Sequence, residues 1–419
     1  MKRFPICTAL VCLWTVFSFA TLAQAQNVIT TWNAIASNTI IKVGGNGPSP
    51  AGVYFAYAAI ATYDAVNAIS RTAQPFYYRG PGWPGASQEA AAAAASHKVL
   101  AHYFPSQQAA LDQNYQATLT AISGSPAAKT AGMALGEAAA DALIAARDHD
   151  GLKANVTYNP GSGPGKWQPT PPAFAAPATP WLGQMTPFTF NDPAAFLPAG
   201  PTPLDSVDWE RDYNITRLFG AANGSVRTPR QTEIGIFWTE NTAQQYARLF
   251  NNLVTQRGLS VPESARFMAM LWTGFADSAI GCYNAKYHFG FWRPVTAIPA
   301  GGGNPNLTSD ATWLPLAATP NHPEYPAAHA CLTGAVTTLI ATYFHTSNLP
   351  ISVDSLSFKD GVHTHTFTNT DDFLSEVQWA RIYAGFHHYH SVVDGAELGK
   401  KVADNLADNF FRPRRSGRD

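Results

Sequence analysis

The chain has 419 residues, of which 46% are hydrophobic and only 13% charged, with 27 Lys plus Arg against 28 Asp plus Glu. That apolar share excludes a disordered polyelectrolyte, which lacks the residues to build a core. A formal net charge of -1 excludes a global field that would gather nucleic acid or anionic lipid, so a basic site has to be local.

At the start of the chain, Lys2 and Arg3 precede an apolar stretch from Cys7 to Thr21, followed by Ala23-Gln24-Ala25. This is the order of a secretory signal, so residues 1–25 read as a leader and the protein as exported, either periplasmic or secreted. No later run reaches the roughly 18 continuous apolar residues of a transmembrane helix, so no membrane span is expected after cleavage. Cys282 and Cys331 remain in the mature chain; one disulfide and two buried thiols are both compatible with that count.

From residue 26 to 205 the pattern predicts a helical region. Ala51 to Ile69 is apolar-rich. Ser87 caps a helix over the alanines that stops at Pro105, and Ser125-Pro126 opens another that runs to Arg147. Residues 151–205 break the pattern: 12 of the 31 prolines lie between Gly151 and Pro203. Proline fixes φ and removes a donor, so this stretch is irregular. Its Trp167, Phe174, Trp181, Phe188 and Phe190 mark a crossing segment laid over helices rather than a free linker. From 206 to 419 helices resume, over Thr242–Arg257, Ser264–Cys282, Ala327–Tyr343, Asp371–Phe386 and Ala396–Phe411. Period-two alternation is scarce, and the fold class is all-α, two helical bundles joined by the proline-rich crossing.

Three short segments of the second half concentrate cations and imidazoles. They are Lys286 to Pro294, Asn321 to His329, and Arg381 to His390, the last followed by Asp394. Adjacent histidines on a helix point about 100° apart, so His387, His388 and His390 do not make an ordinary zinc site. Lys286, Arg293 and Arg381 together with His329 and His387 suit a tetrahedral or trigonal-bipyramidal oxyanion. Guanidinium forks bind such oxygens bidentately, and a helix beginning at Ala327-Ala328 adds backbone N–H groups.

The spacing resembles the vanadium-dependent haloperoxidase and type 2 phosphatidic acid phosphatase superfamily, whose pattern is K-x6-R-P, then P-S-G-H, then S-R-x5-H-x3-D. Lys286 and Arg293-Pro294 fit the first block, Pro326 and His329 the second, and Arg381 and His387 the third. The flanks Phe291-Trp292 and His322 to Tyr325 are closer to the soluble haloperoxidase branch. The resemblance implies a vanadate cofactor with His387 as the single protein ligand of vanadium. Lys286, Arg293 and Arg381 would hold equatorial oxygens, with the Ala328 amide as a further donor. His329 would act as acid–base toward hydrogen peroxide, Lys286 would polarise the oxidant, and His322 would fall at the halide-selecting position, with bromide or iodide favoured.

Four motif positions differ: Ala327 and Ala328 replace serine and glycine, Ala380 replaces the second serine, and Ser391 replaces the aspartate. Ser391 leaves His387 without the carboxylate expected to orient it; His390 with Asp394 restores H-x3-D only by breaking the spacing to Arg381. The same pocket also suits a soluble acid phosphatase, with phosphate in the vanadate position and a phosphohistidine formed from a phosphomonoester. A non-catalytic oxyanion-binding protein is the third reading. A homo-oligomer is left open.

Overall fold

The computed structural model describes residues 27–414; the leader assigned to residues 1–25 lies outside the described residues. Local capping sets most helix starts. Asn27 caps α1 (Val28–Ser37), which continues into a π-helical turn over Asn38–Val43. α2 (Pro48–Ser70) begins with prolines in its first turn. Ser87 accepts from the Ala90 amide to start α3 (Gln88–Tyr103), and Ser125 does the same for α5 (Pro126–Arg147), with α4 (Gln108–Ala121) between them. α3 buries Ala90 to Ala95 completely, and Gly136 of α5 lies so close that a Cβ there would stand 2.3 Å from the Ala91 carbonyl oxygen. Alanine and glycine thus let the α3 and α5 backbones approach to a distance that larger side chains would forbid.

Residues 151–205 carry almost no regular structure but are pinned to the helices. The Asp277 carboxylate accepts from the Phe188 and Thr189 amides at 2.6 and 3.0 Å, the Trp167 amide donates to the Gly290 carbonyl, and the Ala178 amide donates to the Asn321 carbonyl. Trp167 is fully buried. The crossing therefore reaches the same loops that carry the candidate site.

Beyond it lie α6 (Val207–Gly220), α7 (Pro229–Phe237), α8 (Thr242–Arg257), α9 (Val261–Phe289), the single turn α10 (Pro294–Ala297) and α11 (Ala328–Phe344). α9 packs against α2 on one side and α11 on the other, and one apolar core runs from Val28 to Phe411. Sequence spacing ends α9 at Cys282, whereas the helix continues to Phe289. Ser260 and Glu263 form a capping box at its start, and its end waits for Gly290, which adopts φ 58°. Lys286 is consequently a helical residue with a fixed direction.

The expectation of almost no alternation is corrected over residues 351–367, where β1 (Ile351–Phe358) and β2 (Gly361–Phe367) form an antiparallel hairpin, Ile351 opposite Phe367. Ile351, Val353 and Ser355 turn inward while their neighbours are more open, so the period of two was present but short. α12 (Thr370–Tyr383) and α13 (Tyr389–Asn409) complete the chain. α12 stops three residues before the predicted Phe386, and α13 starts seven before the predicted Ala396. The break between them holds Gly385 at φ 75°, where a Cβ would come within 2.5 Å of the Gly220 carbonyl oxygen. The architecture is helical with one small hairpin, and among the described residues no helix is long and apolar enough to cross a membrane.

Candidate active site

Three turns of chain meet around one cavity of about 620 Å3. The last turn of α9 brings Lys286, the loop before α10 brings Arg293, and the loop 321–327 leads into the α11 N-terminus with Ala328 and His329. The α12–α13 break contributes His387, and the last turn of α12 contributes Arg381. His322, Ala328, His329, Arg381 and His387 line the cavity. Lys286 and Arg293 stand behind that wall. All three cationic side chains are buried: Lys286 and Arg293 are 0% exposed and Arg381 2%.

The Lys286 ammonium donates to the Pro323 and Glu324 carbonyls at 2.9 and 3.0 Å, fixing the loop ahead of α11. Arg293 donates through Nε to the His322 carbonyl at 2.9 Å, through Nη1 to the Phe386 carbonyl at 2.9 Å and to His387 Nε2 at 3.1 Å, and through Nη2 to His322 Nδ1 at 3.0 Å. Arginine only donates. His387 Nε2 is therefore a lone-pair acceptor with the proton on Nδ1, whereas His322 Nδ1 lies between Arg293 Nη2 at 3.0 Å and the Pro323 carbonyl at 3.2 Å. Arg381 is less committed: Nη1 donates to the Trp238 carbonyl at 2.7 Å, the guanidinium lies 4.7 Å over the Phe386 ring, and Nε has no partner.

The electrostatics are those of a cationic hole. Burial pushes Lys286 down to about 8 and Arg381 down to about 9; in both, the neighbouring Arg293 charge adds to the shift. Burial likewise lowers Arg293 to about 10, with Glu324 opposing. His322, His329 and His387 are all held well below the ordinary imidazole range, by burial first and then by the surrounding cations. The imidazoles are thus neutral around neutral pH. The N-terminus of α11 faces the same cavity, and Ala327 makes no side-chain cap there, so its first-turn amides add to the positive end.

Two polar residues escaped the sequence reading. Thr242, the first residue of α8, places its hydroxyl 2.6 Å from His329 Nε2. Glu324 places Oε1 2.8 Å from His387 Nδ1 and accepts from the His388 amide at 3.0 Å. This corrects the expectation that Ser391 leaves His387 without an orienting carboxylate: the carboxylate comes from another segment. Glu324 is 0% exposed, and its burial raises it to about 7 against the pull of Arg293 and Lys286. Neither residue belongs to the spaced motif, and their partners lie 87 and 63 positions away.

The shifted register has no support from the geometry. His390 turns to Asp212 at 2.7 Å, and Asp394 accepts from the Tyr325 hydroxyl at 2.5 Å. His388 is buried against the Trp209 ring and does not line the cavity. Cys282 and Cys331 are buried free thiols, with Cys282 directed at the Pro326 carbonyl at 3.7 Å. Among the described residues no group of three His, Cys, Asp or Glu side chains is arranged to hold a metal ion.

Residues 266–415 match the family model of the VCPO second helical-bundle domain. Over 268 residues the chain is 24% identical to the vanadium chloroperoxidase of Curvularia inaequalis, a match covering 52% of this chain and 44% of that protein, less than half its length. The solved structure of a bacterial vanadium-dependent iodoperoxidase superposes with a TM-score of 0.79 at 18% identity, covering 93% of this chain and 98% of that one. The apo form of a bacterial vanadium-dependent chloroperoxidase gives 0.69 at 17% identity, covering 87% and 94%, and a holo form gives 0.67 at 18%, covering 90% and 95%. At these identities the superpositions establish a shared fold.

Proposed function

From the match of residues 266–415 to the VCPO second helical-bundle domain, we propose that the chain is a vanadate-dependent, haloperoxidase-like oxidoreductase of the vanadium haloperoxidase superfamily that uses hydrogen peroxide to oxidise a halide, with bromide or iodide favoured. The observation that carries this reading is the charge balance of the cavity. Lys286, Arg293 and Arg381 are buried around it with Glu324 beside them, the cavity-lining Glu240 is already paired with Arg248, and Arg381 Nε is left bare. Buried cations in excess are costly unless an anion joins them.

The donor set fits vanadate. His387 Nε2 carries a lone pair at the cavity wall, now capped by Arg293 Nη1, and is the atom that would ligate vanadium. Arg381 and Arg293 would hold its oxygens, Lys286 would add positive charge from behind, and the α11 amides beginning at Ala328 would donate where the motif has serine and glycine. Vanadate, when bound, supplies a Lewis-acidic centre at which peroxide is activated for oxidation of the halide.

The chain's own residues supply proton control and access. Thr242 engages His329 Nε2 and leaves Nδ1 as the nitrogen for proton exchange with an incoming peroxide. His329 is neutral without a ligand, and an oxyanion beside it favours its protonated form, so anion and proton are taken up together. His322, with Nδ1 held by Arg293, presents its other nitrogen at the rim and is placed to influence which halide approaches.

The test is halide oxidation by the vanadate-reconstituted protein run beside phosphomonoester hydrolysis by the vanadate-free protein. Peroxide-dependent oxidation of iodide or bromide that needs vanadate supports the proposal. Hydrolysis without it assigns the pocket to phosphatase chemistry, and neither activity with retained anion binding assigns it to oxyanion binding alone.

A further inference from the structure

The H-x3-D motif orients its histidine with a carboxylate four residues on; here that position is Ser391, and the nearest carboxylate arrives from the opposite wall. We propose that Glu324 is the positioning residue of His387, a relocated substitute for the motif aspartate that fixes which imidazole nitrogen faces the oxyanion.

The hydrogen bonds determine the arrangement. Arg293 Nη1 lies 3.1 Å from His387 Nε2 and has only protons to offer, so Nε2 is unprotonated. The proton is then on Nδ1, 2.8 Å from Glu324 Oε1, which accepts it. The same oxygen accepts from the His388 amide at 3.0 Å, so the carboxylate holds the ring and the first backbone turn of α13 together. Glu324 is itself anchored, because its own carbonyl accepts from the Lys286 ammonium at 3.0 Å. One rigid unit therefore links the last turn of α9, the loop before α11 and the start of α13.

The relocation sets two groups side by side. The Ser391 hydroxyl lies close enough to the Glu324 carboxylate to favour its charged form, although neither Glu324 Oε2 nor Ser391 Oγ has a hydrogen bond of ordinary geometry. Ser391 lies in the first turn of α13 beside the Glu324 carboxylate that accepts the His387 Nδ1 proton, so an aspartate there would enter the same neighbourhood. Glutamate on the loop and aspartate on the helix are alternative solutions to one requirement, and two carboxylates there would repel each other in a buried site. An acidic residue at 391 is therefore excluded as long as Glu324 occupies its place.

The inference rests on reading His387 as the ligand of the oxyanion, and the experiment separates the two. The imidazole nitrogen-15 signals of His387 are recorded in the ligand-free protein, and vanadate and inorganic phosphate affinities are measured by calorimetry. Wild type, E324A, E324Q and the double variant E324A/S391D are compared. The wild-type signals are expected to show Nδ1 protonated and Nε2 bare. E324A is expected to weaken that preference, which Arg293 alone would then hold, and to lose about 10–100-fold in vanadate affinity, the usual effect of removing a carboxylate behind a ligating histidine. E324A/S391D is expected to regain at least about tenfold of it.

A protein destabilised without any positioning role would not recover affinity from a carboxylate placed on a different helix. E324Q keeps volume and an acceptor, so E324Q, compared also with E324Q/S391D, covers the case in which E324A fails to fold; a few-fold loss in E324Q that E324Q/S391D reverses supports the proposal. An unchanged nitrogen-15 pattern and unchanged affinity in the glutamate variants overturn it. A wild type that binds neither anion overturns the functional reading instead, while the nitrogen-15 pattern still decides the role of Glu324.

Discussion

Buried charge occurs in two settings in this molecule, as pins between distant segments and as the wall of one cavity. Away from the cavity, Asp64 accepts from the Phe76, Tyr77 and Tyr78 amides at 2.7, 2.7 and 2.8 Å, and Asp277 accepts from two amides and the Thr189 hydroxyl. Arg147 is paired to Asp150 and to the carbonyls of Thr186 and Pro187. Around the cavity, Arg381 has one partner and a bare Nε, Glu324 has a bare Oε2, and the Arg293 proton on His387 Nε2 must give way to a ligand there. Asp212 Oδ1, Arg217 Nε and Arg248 Nε are also buried without partners, so a bare atom alone does not mark a site; what sets Arg381 apart is that its bare Nε belongs to a side chain lining the cavity, beside other cations.

That contrast is open to attack from both sides. The largest expected effect is on chemistry: His329→Ala should lower vanadate-dependent halide oxidation by about 10²–10⁴-fold, the range for loss of a general acid–base. Vanadate affinity should stay measurable, because Lys286, Arg293, Arg381 and His387 remain. Steady-state oxidation of iodide, bromide and chloride checks this, and full activity in the variant removes His329 from the proton path.

Asp277→Ala is the opposite probe. It strands two amide donors and a hydroxyl, which should lower folding stability by about 2–4 kcal/mol in denaturant titration, each stranded group costing about 1–3 kcal/mol before relaxation. Phosphate affinity of the protein that remains folded should change less than about twofold, as independent sites add. A large affinity loss at unchanged stability would erase the distinction between the two regions.

The same pins give the protein a pH signature. Burial raises Asp64 and Asp277 to about 6 from an ordinary value of 3.8. A carboxyl raised on folding binds more protons in the native state, so its contribution is fully present below the unfolded value and is lost as pH rises through the folded one. Stability should fall between about pH 4 and 6, by on the order of 2–3 kcal/mol for each group. Chemical denaturation across that window should show a shallower slope in Asp277→Asn.

Arg381→Met tests the unpaired side. Vanadate affinity should fall about 10–100-fold, the equivalent of one or more lost charged hydrogen bonds at about 1.5–3 kcal/mol each. The ligand-free melting temperature should hold or rise, because a buried, underpaired cation has been replaced by an apolar chain. The smallest effect is expected from His322→Phe: less than about tenfold in peroxide turnover, with a changed order of halides, since the acid–base at His329 is untouched.

How much of this was legible in sequence depended on how local each signal was. Ser87, Ser125 and the alanines behind them set α3 and α5 within a few residues of the chain, and Thr242–Arg257 is α8 as spacing predicts. The α13 start was hidden because its first amides are satisfied by Glu324 and Asp212, 64 and 178 positions away from the residues they cap. The hairpin was hidden by its brevity among helices. The three spaced motif blocks identified Lys286, Arg293, Arg381 and two of the site's histidines, with His322 on a flank, but Glu324 and Thr242 became visible only once the loop before α11 and the first turn of α8 were seen against those histidines.

The central claim is that Lys286, Arg293 and Arg381 form one oxyanion site built on His387. It is tested most directly by titrating the ligand-free protein with vanadate in the calorimeter, with and without inorganic phosphate. One saturable site per chain is predicted, competed by phosphate, with heat that largely disappears in both Arg381→Met and His387→Ala. Absence of saturable binding, or binding that survives both substitutions unchanged, would contradict it.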